Sequence, residues 1–167
     1  VLKTIANAAF EFSTLKEISI PSSVTSLQNY VFVNCVNLEN VVFEENSQIT
    51  ILPFYLFKSC VSLKSIKIPS SITVISKDAF RDMPTLSNVE FSCSSKLTTI
   101  DASIFDDCQL ITELNLPSTI AYTGTKTTNI ISSCSLCPIG KYSLSGDNSS
   151  GACLSCFPDS DYVCARD

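Results

Sequence analysis

The chain has 167 residues, of which 45% are apolar and 16% charged, and its formal net charge is −5. It contains no histidine, which removes Ser-His-Asp and Cys-His catalysis in their usual forms and every histidine-bearing metal site. An acidic chain without a basic cluster is a poor partner for nucleic acid or an anionic membrane, and no uninterrupted apolar stretch is long enough for a transmembrane helix.

Val1-Leu2-Lys3 leads straight into a repeating pattern, so the sequence is expected to be a fragment or a mature product. Residues 2–23 form a short first coil around Ile5, Phe10, Leu15, Ile18 and Ile20. No polar cap precedes it, and an end coil of a stacked array exposes the apolar edge that a neighbour would cover. A further repeat upstream, or a neighbouring copy or chain stacked on this open coil, is therefore expected.

Four more coils follow, over residues 24–48, 49–71, 72–96 and 97–119. Val24, Leu27, Phe32, Cys35, Leu38, Val41 and Phe43 match Ile49, Leu52, Phe57, Cys60, Leu63, Ile66 and Ile68. These in turn match Ile72, Ile75, Phe80, Met83, Leu86, Val89 and Phe91, and then Leu97, Ile100, Phe105, Cys108, Ile111, Leu114 and Leu116. The apolar spacing is neither a steady 3.6 nor a steady 2, so no single helix or strand explains it. A period in the twenties built on L-x-x-L-x-L belongs to a leucine-rich repeat. Within each coil the L-x-x-I-x-I segment is expected to be a parallel strand, and the segment around A-F-x-x-C a helical turn or short helix. The coils at 24–48 and 72–96 are longer, with insertions over residues 43–48 and 91–96. The shorter coils close with Pro-Ser-Ser or Pro-Ser-Thr, where proline ends the strand because it has no N–H to donate.

The outward strand positions read as columns: Lys16, Glu39 and Lys64, and then Ser19, Val42, Lys67, Glu90 and Asn115. Adjacent strands lie about 4.8 Å apart, so Lys16–Glu39–Lys64 and Lys67–Glu90 are placed to pair along the stack. These columns are either a solvated ladder that fixes register or a ligand face. No aromatic residue stands in them, although binding hot spots favour tyrosine, tryptophan and arginine. Cys35, Cys60 and Cys108 share one column with Met83 and Ser13, as buried thiols packed beside phenylalanine would.

Residues 120–133 break the pattern. Every glycine of the chain lies beyond residue 123, and that shift in composition divides it into a repeat domain over 1–123, a linker or degenerate coil over 124–133, and a cysteine-rich module over 134–167. The module carries Cys134, Cys137, Cys153, Cys156 and Cys164 and too little apolar content for a core of its own. Its C-x2-C-x15-C-x2-C spacing also suits a four-thiolate zinc site. Disulfides are the expected chemistry, with Cys137–Cys153 and Cys156–Cys164 as candidate bridges, so no metal or other cofactor is expected. Asn148-Ser149-Ser150 is a glycosylation sequon.

The run of A-F-x-x-C, L-x-x-I-x-I and P-S-S motifs, carried by Ala79-Phe80, Lys58-Ser59-Cys60, Leu63 to Ser71 and Ser103 to Cys108, resembles the BspA-like leucine-rich repeat family over about residues 2–120. The tail motif C-x-x-C-P-x-G-x-Y-S resembles the small modules of the ephrin-receptor-like and tumour-necrosis-factor-receptor-like families over about 134–157. These resemblances imply an α/β repeat fold: a right-handed solenoid with parallel strands, ending in a small disulfide-rich cap. They also imply a secreted or cell-surface location and links to adhesion. The expected function is a non-catalytic extracellular binding or adhesion module whose partner is a protein or a glycan on a surface. A structural repeat in a larger assembly and an intracellular scaffold with a zinc-binding tail are the alternatives.

Overall fold

In the computed structural model, residues 1–92, 94–111, 113–117, 120–123, 129–134, 141–143 and 153–155 are described. The chain winds as a solenoid in which each coil lays a two- or three-residue strand on one face and a longer strand on the next. The short strands are β1 (Thr4–Ile5), β3 (Ser26–Leu27), β5 (Ile51–Leu52), β7 (Val74–Ile75), β9 (Thr99–Asp101) and β11 (Ala121–Thr123). The long ones are β2 (Glu17–Ile20), β4 (Asn40–Phe43), β6 (Ser65–Ile68), β8 (Asn88–Phe91), β10 (Glu113–Pro117) and β12 (Asn129–Cys134). Residues further on form β13 (Lys141–Ser143) and β14 (Cys153–Ser155), an antiparallel pair.

All ladders between coils are parallel, joining β1 to β3, β2 to β4, β5 to β7, β6 to β8, β9 to β11 and β10 to β12. The last of these pairs Glu113 with Asn129 and Leu114 with Ile130, and so carries the parallel stack past residue 123. The inward residues of every coil merge into one core running from Ile5 to Ile120. Leu38, Leu63 and Leu86 are fully buried in it, as are Ile49 and Ile72. No coil has a second layer to cover it, so each apolar side chain is buried only by the coils above and below.

One column runs through this core as a continuous ring stack. Phe10, Phe32, Phe57, Phe80 and Phe105 lie nearly parallel, with successive centroids 5.5, 5.4, 5.7 and 5.8 Å apart. Each such contact contributes about 0.5–1.5 kcal/mol beyond the area it buries.

The helical turns expected around A-F-x-x-C are replaced by consecutive tight turns. Among the described residues the one helix is a 3-10 turn at Ala102–Phe105, capped by Asp101, whose Oδ1 accepts from the Ser103 N–H at 2.8 Å. The fold is therefore a β-solenoid rather than an α/β repeat. In the other coils a residue with positive φ recurs in pairs four apart: Ala8 and Phe12, Tyr30 and Asn34, Tyr55 and Ser59, Asp78 and Asp82. Each sits at the third position of a turn, as in Phe32–Cys35, where the Cys35 N–H reaches the Phe32 carbonyl at 3.2 Å. The left-handed residue turns alternate N–H groups out of the segment and into the next coil. Phe10 N–H donates to Val31 O at 3.0 Å, Phe32 N–H to Leu56 O at 3.0 Å and Phe57 N–H to Ala79 O at 2.9 Å. A helix would spend those donors within its own segment; here they stitch coil to coil, which is the reason the helix is not formed.

The alternation of long and short coils also has a structural result. The Pro-Ser-Ser turns close tightly, with Val24 N–H on Pro21 O at 2.9 Å and Ile72 N–H on Pro69 O at 3.1 Å, and the coils on either side share ladders. After each long coil the ladders stop: β4 does not pair with β6, nor β8 with β10, among the described residues. The solenoid is thus built in two-coil units joined at the turn face.

No glycine occupies any of the left-handed positions. A residue with a Cβ pays roughly 1–2 kcal/mol there, more than the roughly 0.5–1 kcal/mol of added chain entropy that glycine brings. Ser59→Gly is therefore expected to stabilise the chain by about 0.5–1 kcal/mol, measured as a rise in the urea midpoint at unchanged slope.

Candidate binding surface

The outward columns lie where the sequence places them. Strand register sets Ser19 beside Val42 and Lys67 beside Glu90, and all four side chains are exposed. Lys16, Glu39 and Lys64 are exposed as well. The link between Lys16 and Glu39 is through the backbone, Glu39 N–H donating to Lys16 O at 2.7 Å. The ion-pair chain expected along Lys16, Glu39 and Lys64 is not formed among the described residues, because exposed, hydrated side chains gain little from holding one geometry. Asn115 falls in β10, in register with Ile131.

The structure divides these columns. Val42, Lys67 and Glu90 line a groove of about 560 Å³ that opens where the ladder between β4 and β6 is interrupted. Lys16, Ser19, Glu39 and Lys64 lie outside it. Its far wall is the first insertion, Glu44 to Ser47. That loop is held from within. Asn46 takes the left-handed conformation at φ 59°, Gln48 Nε2 donates to Asn46 O at 2.7 Å, and the buried Ser47 Oγ accepts from Ile49 N–H at 3.4 Å. Glu44 is anchored to the preceding coil, its Oε2 accepting from Ser22 N–H at 3.0 Å. Across the groove, Asn88 Nδ2 orients Glu90 at 3.0 Å. The lining mixes carboxylates, hydroxyls and one ammonium over an apolar floor of Val42 and Ile68. The volume is in the range of small-molecule and side-chain pockets, and the chemistry is that of recognition by hydrogen bonding.

A second surface was not legible in the strand columns. On the turn face Tyr30 stacks on Tyr55 with centroids 5.4 Å apart, and Lys58 Nζ lies over the Tyr55 ring at 5.2 Å. Lys58 also meets Asp82 at 3.8 Å, and Arg81 meets the buried Asp78 at 3.5 Å. Phe54, Ile51 and Val74 are exposed nearby in the chain and in register. The signal in the sequence was the recurrence of Tyr30 and Tyr55 two residues before the phenylalanine column, at positions expected to be helical.

The thiol column has a polar role. Cys35 Sγ donates to Phe10 O at 2.9 Å, Cys60 Sγ to Phe32 O at 3.1 Å and Cys108 Sγ to Phe80 O at 2.9 Å. Each cysteine bonds back to the phenylalanine of the preceding coil, and Cys35 and Cys60 are free thiols. Burial pushes the Cys60 thiol far above its ordinary range, with the neighbouring Cys35 adding to the effect; burial raises Cys35 as well, against a lowering hydrogen bond from the Ser13 backbone. No three-residue group of metal-ligating side chains occurs among the described residues. Cys134 and Cys153 fall within β12 and β14; Cys137, Cys156, Cys164 and Asn148 lie outside the described residues, and with them the expected disulfides and sequon. No helix among the described residues is long and apolar enough to cross a membrane.

A coiled stack of parallel strands with leucine-rich spacing defines a leucine-rich repeat protein. The chain belongs to the BspA type leucine rich repeat family, whose model matches six copies over residues 3–137. It is similar to a leucine rich cell surface protein of Faecalibacterium prausnitzii, with 35% identity and a TM-score of 0.60 over 75% of this chain and 31% of that one. A leucine-rich repeat protein of Eubacterium ventriosum is 26% identical, with a TM-score of 0.63 over 74% and 33%. The pneumococcal vaccine antigen PcpA is 25% identical, with a TM-score of 0.64 over 78% and 34%. The chain spans about a third of the length of these structures. No curated protein shows significant similarity to it.

The raised thiols give a signed pH dependence. A group whose folded pKa lies above its unfolded value holds its full stabilising effect below the unfolded pKa and loses it as pH rises from there toward the folded one. Stability is therefore expected to fall as pH is raised above about 9, where the unfolded chain's thiols ionise and buried Cys60 does not. Urea melts from pH 7 to 10 check this, and Cys60→Ala is expected to flatten the slope.

Proposed function

We propose that the chain is a non-catalytic binding module of a cell-surface or secreted protein, and that the groove between β4 and β6 contacts a protein or glycan on an opposing surface. The observation that carries this reading is the ladder break itself. It replaces the tightest connection in the solenoid with an insertion, and a polar groove of about 560 Å³ opens there. A loop that gives up backbone pairing is a place where binding residues are commonly held on a rigid scaffold. The cell-surface description of the Faecalibacterium prausnitzii relative supports the location. A purely structural repeat within a larger assembly is the second reading, favoured by the continuous core and by coils that stack without limit.

Labelled chain is expected to bind bacterial or epithelial cell surfaces saturably in flow cytometry. The Val42→Asp/Lys67→Ala double variant, altered only at exposed positions, is expected to lose at least tenfold in affinity with its melting temperature kept. Equal binding by the two proteins defeats the groove, and no saturable binding by either favours the structural reading.

The tail is proposed to be closed by disulfides among Cys134, Cys137, Cys153, Cys156 and Cys164, with Asn148 available for glycosylation. Each bridge lowers the entropy of the unfolded tail by an amount worth about 2–4 kcal/mol. Mass analysis of non-reduced peptides together with metal analysis tests this. One equivalent of zinc with four alkylatable tail cysteines would place the protein in a reducing compartment instead.

A further inference from the structure

The tyrosine column on the turn face is a ring stack that stops one place early. Ala8, Tyr30 and Tyr55 occupy equivalent positions in successive coils. All three are left-handed, with φ of 55, 64 and 56°. The N–H of Ala8 donates to Asn29 O and that of Tyr30 to Phe54 O, at 3.1 and 3.3 Å. Two residues further on, Phe10, Phe32 and Phe57 are stacked in the same order, so the three side chains leave the backbone in register. Tyr30 and Tyr55 fill two places and Ala8 leaves the third without a ring. At the other end Lys58 lies over Tyr55. The pair is therefore closed by a cation on the coil-three side and open on the coil-one side, where Tyr30 is 41% exposed.

Neutral, amide-bearing residues flank Ala8 and Tyr30 in the chain. The residues preceding Ala8 and Tyr30 are Asn7 and Asn29, which share a column, and both are exposed. Their side-chain amides make no hydrogen bond among the described residues; Asn7 contributes only its backbone N–H, donated to Gln28 Oε1 at 2.7 Å. No charged side chain stands in either column in these two coils.

We infer that the open face of Tyr30 above Ala8, flanked in the chain by Asn7 and Asn29, is a stacking site for one ring of a neutral saccharide. A pyranose with equatorial substituents presents axial C–H groups to the electron-rich face of an aromatic ring. Its hydroxyls then point outward, where an amide offers both a donor and an acceptor. An anionic sugar is disfavoured by the negative ring face. A cationic group finds no carboxylate in these columns, and the cation position of the ring pair is already held by Lys58. The place left by Ala8 is one ring thick, the 5.4 Å repeat of the tyrosine pair, which suits a single sugar ring better than a folded protein surface. This site lies on the turn face, away from the β4–β6 groove; it rests on the binding-module reading but not on that groove.

Binding is read by isothermal titration calorimetry, because only two of the chain's five tyrosines, Tyr30 and Tyr55, belong to the site. The full chain is titrated with chitotriose, cellotriose, maltotriose and mannotriose. Saturable binding of at least one is expected, weakened at least tenfold in Tyr30→Ala and in Ala8→Tyr. Ala8→Tyr adds the missing ring in a conformation that Tyr30 and Tyr55 already adopt, so it fills the site with the melting temperature kept or raised, and a folding defect cannot account for its loss of binding. Lys96→Ala, at an exposed position outside both surfaces, is expected to bind as the parent does. No binding of any of the four sugars, or binding that Ala8→Tyr leaves intact, overturns the inference. Sugar binding lost in Val42→Asp and kept in Ala8→Tyr overturns it while the groove stands; the reverse pattern supports it and leaves the groove to the cell-surface test.

Discussion

Contact between one coil and the next is the constraint on which everything else in this structure depends. A single coil carries one layer of side chains and no opposing layer, so its apolar residues are buried only by its neighbours. The phenylalanine column shows how the contact is made. Five rings stack at spacings between 5.4 and 5.8 Å, somewhat wider than the roughly 4.8 Å strand spacing, and tight turns rather than a helix lie over them. A helix beside this column would hold its donors internally. The turns release them, so the same segment that supplies the ring also supplies the hydrogen bonds that set the distance to the next ring.

The direction of those bonds gives the stack a polarity. On the turn face the N–H groups of Ala8, Phe10 and Phe12 donate forward to the second coil. Just ahead of the strands the donors point back: Glu39 N–H to Lys16 O, Ser87 N–H to Lys64 O and Thr73 N–H to Thr50 O. The hydroxyls of Ser62 and Thr85 and the thiols of Cys35, Cys60 and Cys108 also reach back. Each coil is thus bonded in both directions at different corners, and a coil boundary that loses its strand ladder is still held at the turn face. That redundancy permits the break between β4 and β6. Tyr30, Phe32 and Asn34 N–H groups and the Cys60 thiol continue to cross it.

Both proposed binding surfaces follow from departures from the repeat. The groove exists because one coil is longer than the next and its insertion cannot close as Pro-Ser-Ser does. The proposed saccharide site depends on alanine at residue 8, where the next two coils place Tyr30 and Tyr55. A perfectly periodic chain would present a uniform ladder with neither feature. The scaffold between them is rigid by construction, so ligand groups would meet side chains already held in place.

How much of this could be read in advance depends on the kind of information involved. The repeat, its core columns and the inward or outward sense of Leu63 against Lys64 or Ile66 against Lys67 were legible because burial is periodic and the sequence records the period. The position of the long coils was legible too, as two insertions; that they interrupt the ladder was not, since pairing is a relation between two coils and neither states it alone. The turn face was misread as helical because no glycine marks its left-handed residues: Ala8, Tyr30, Asn34 and Ser59 take positive φ against their intrinsic preference, imposed by the bonds to the next coil. For the same reason the thiols looked merely apolar and the tyrosines had no place in the strand columns. The sequence by itself determined the repeat and most of the residues that face its core; Leu15, read as apolar core, is exposed, and a sixth coil beyond residue 120 was read as a break in the pattern. Only the tertiary structure decided how the backbone between them turns, because that conformation is stabilised by the neighbouring coil and not by the residues that adopt it.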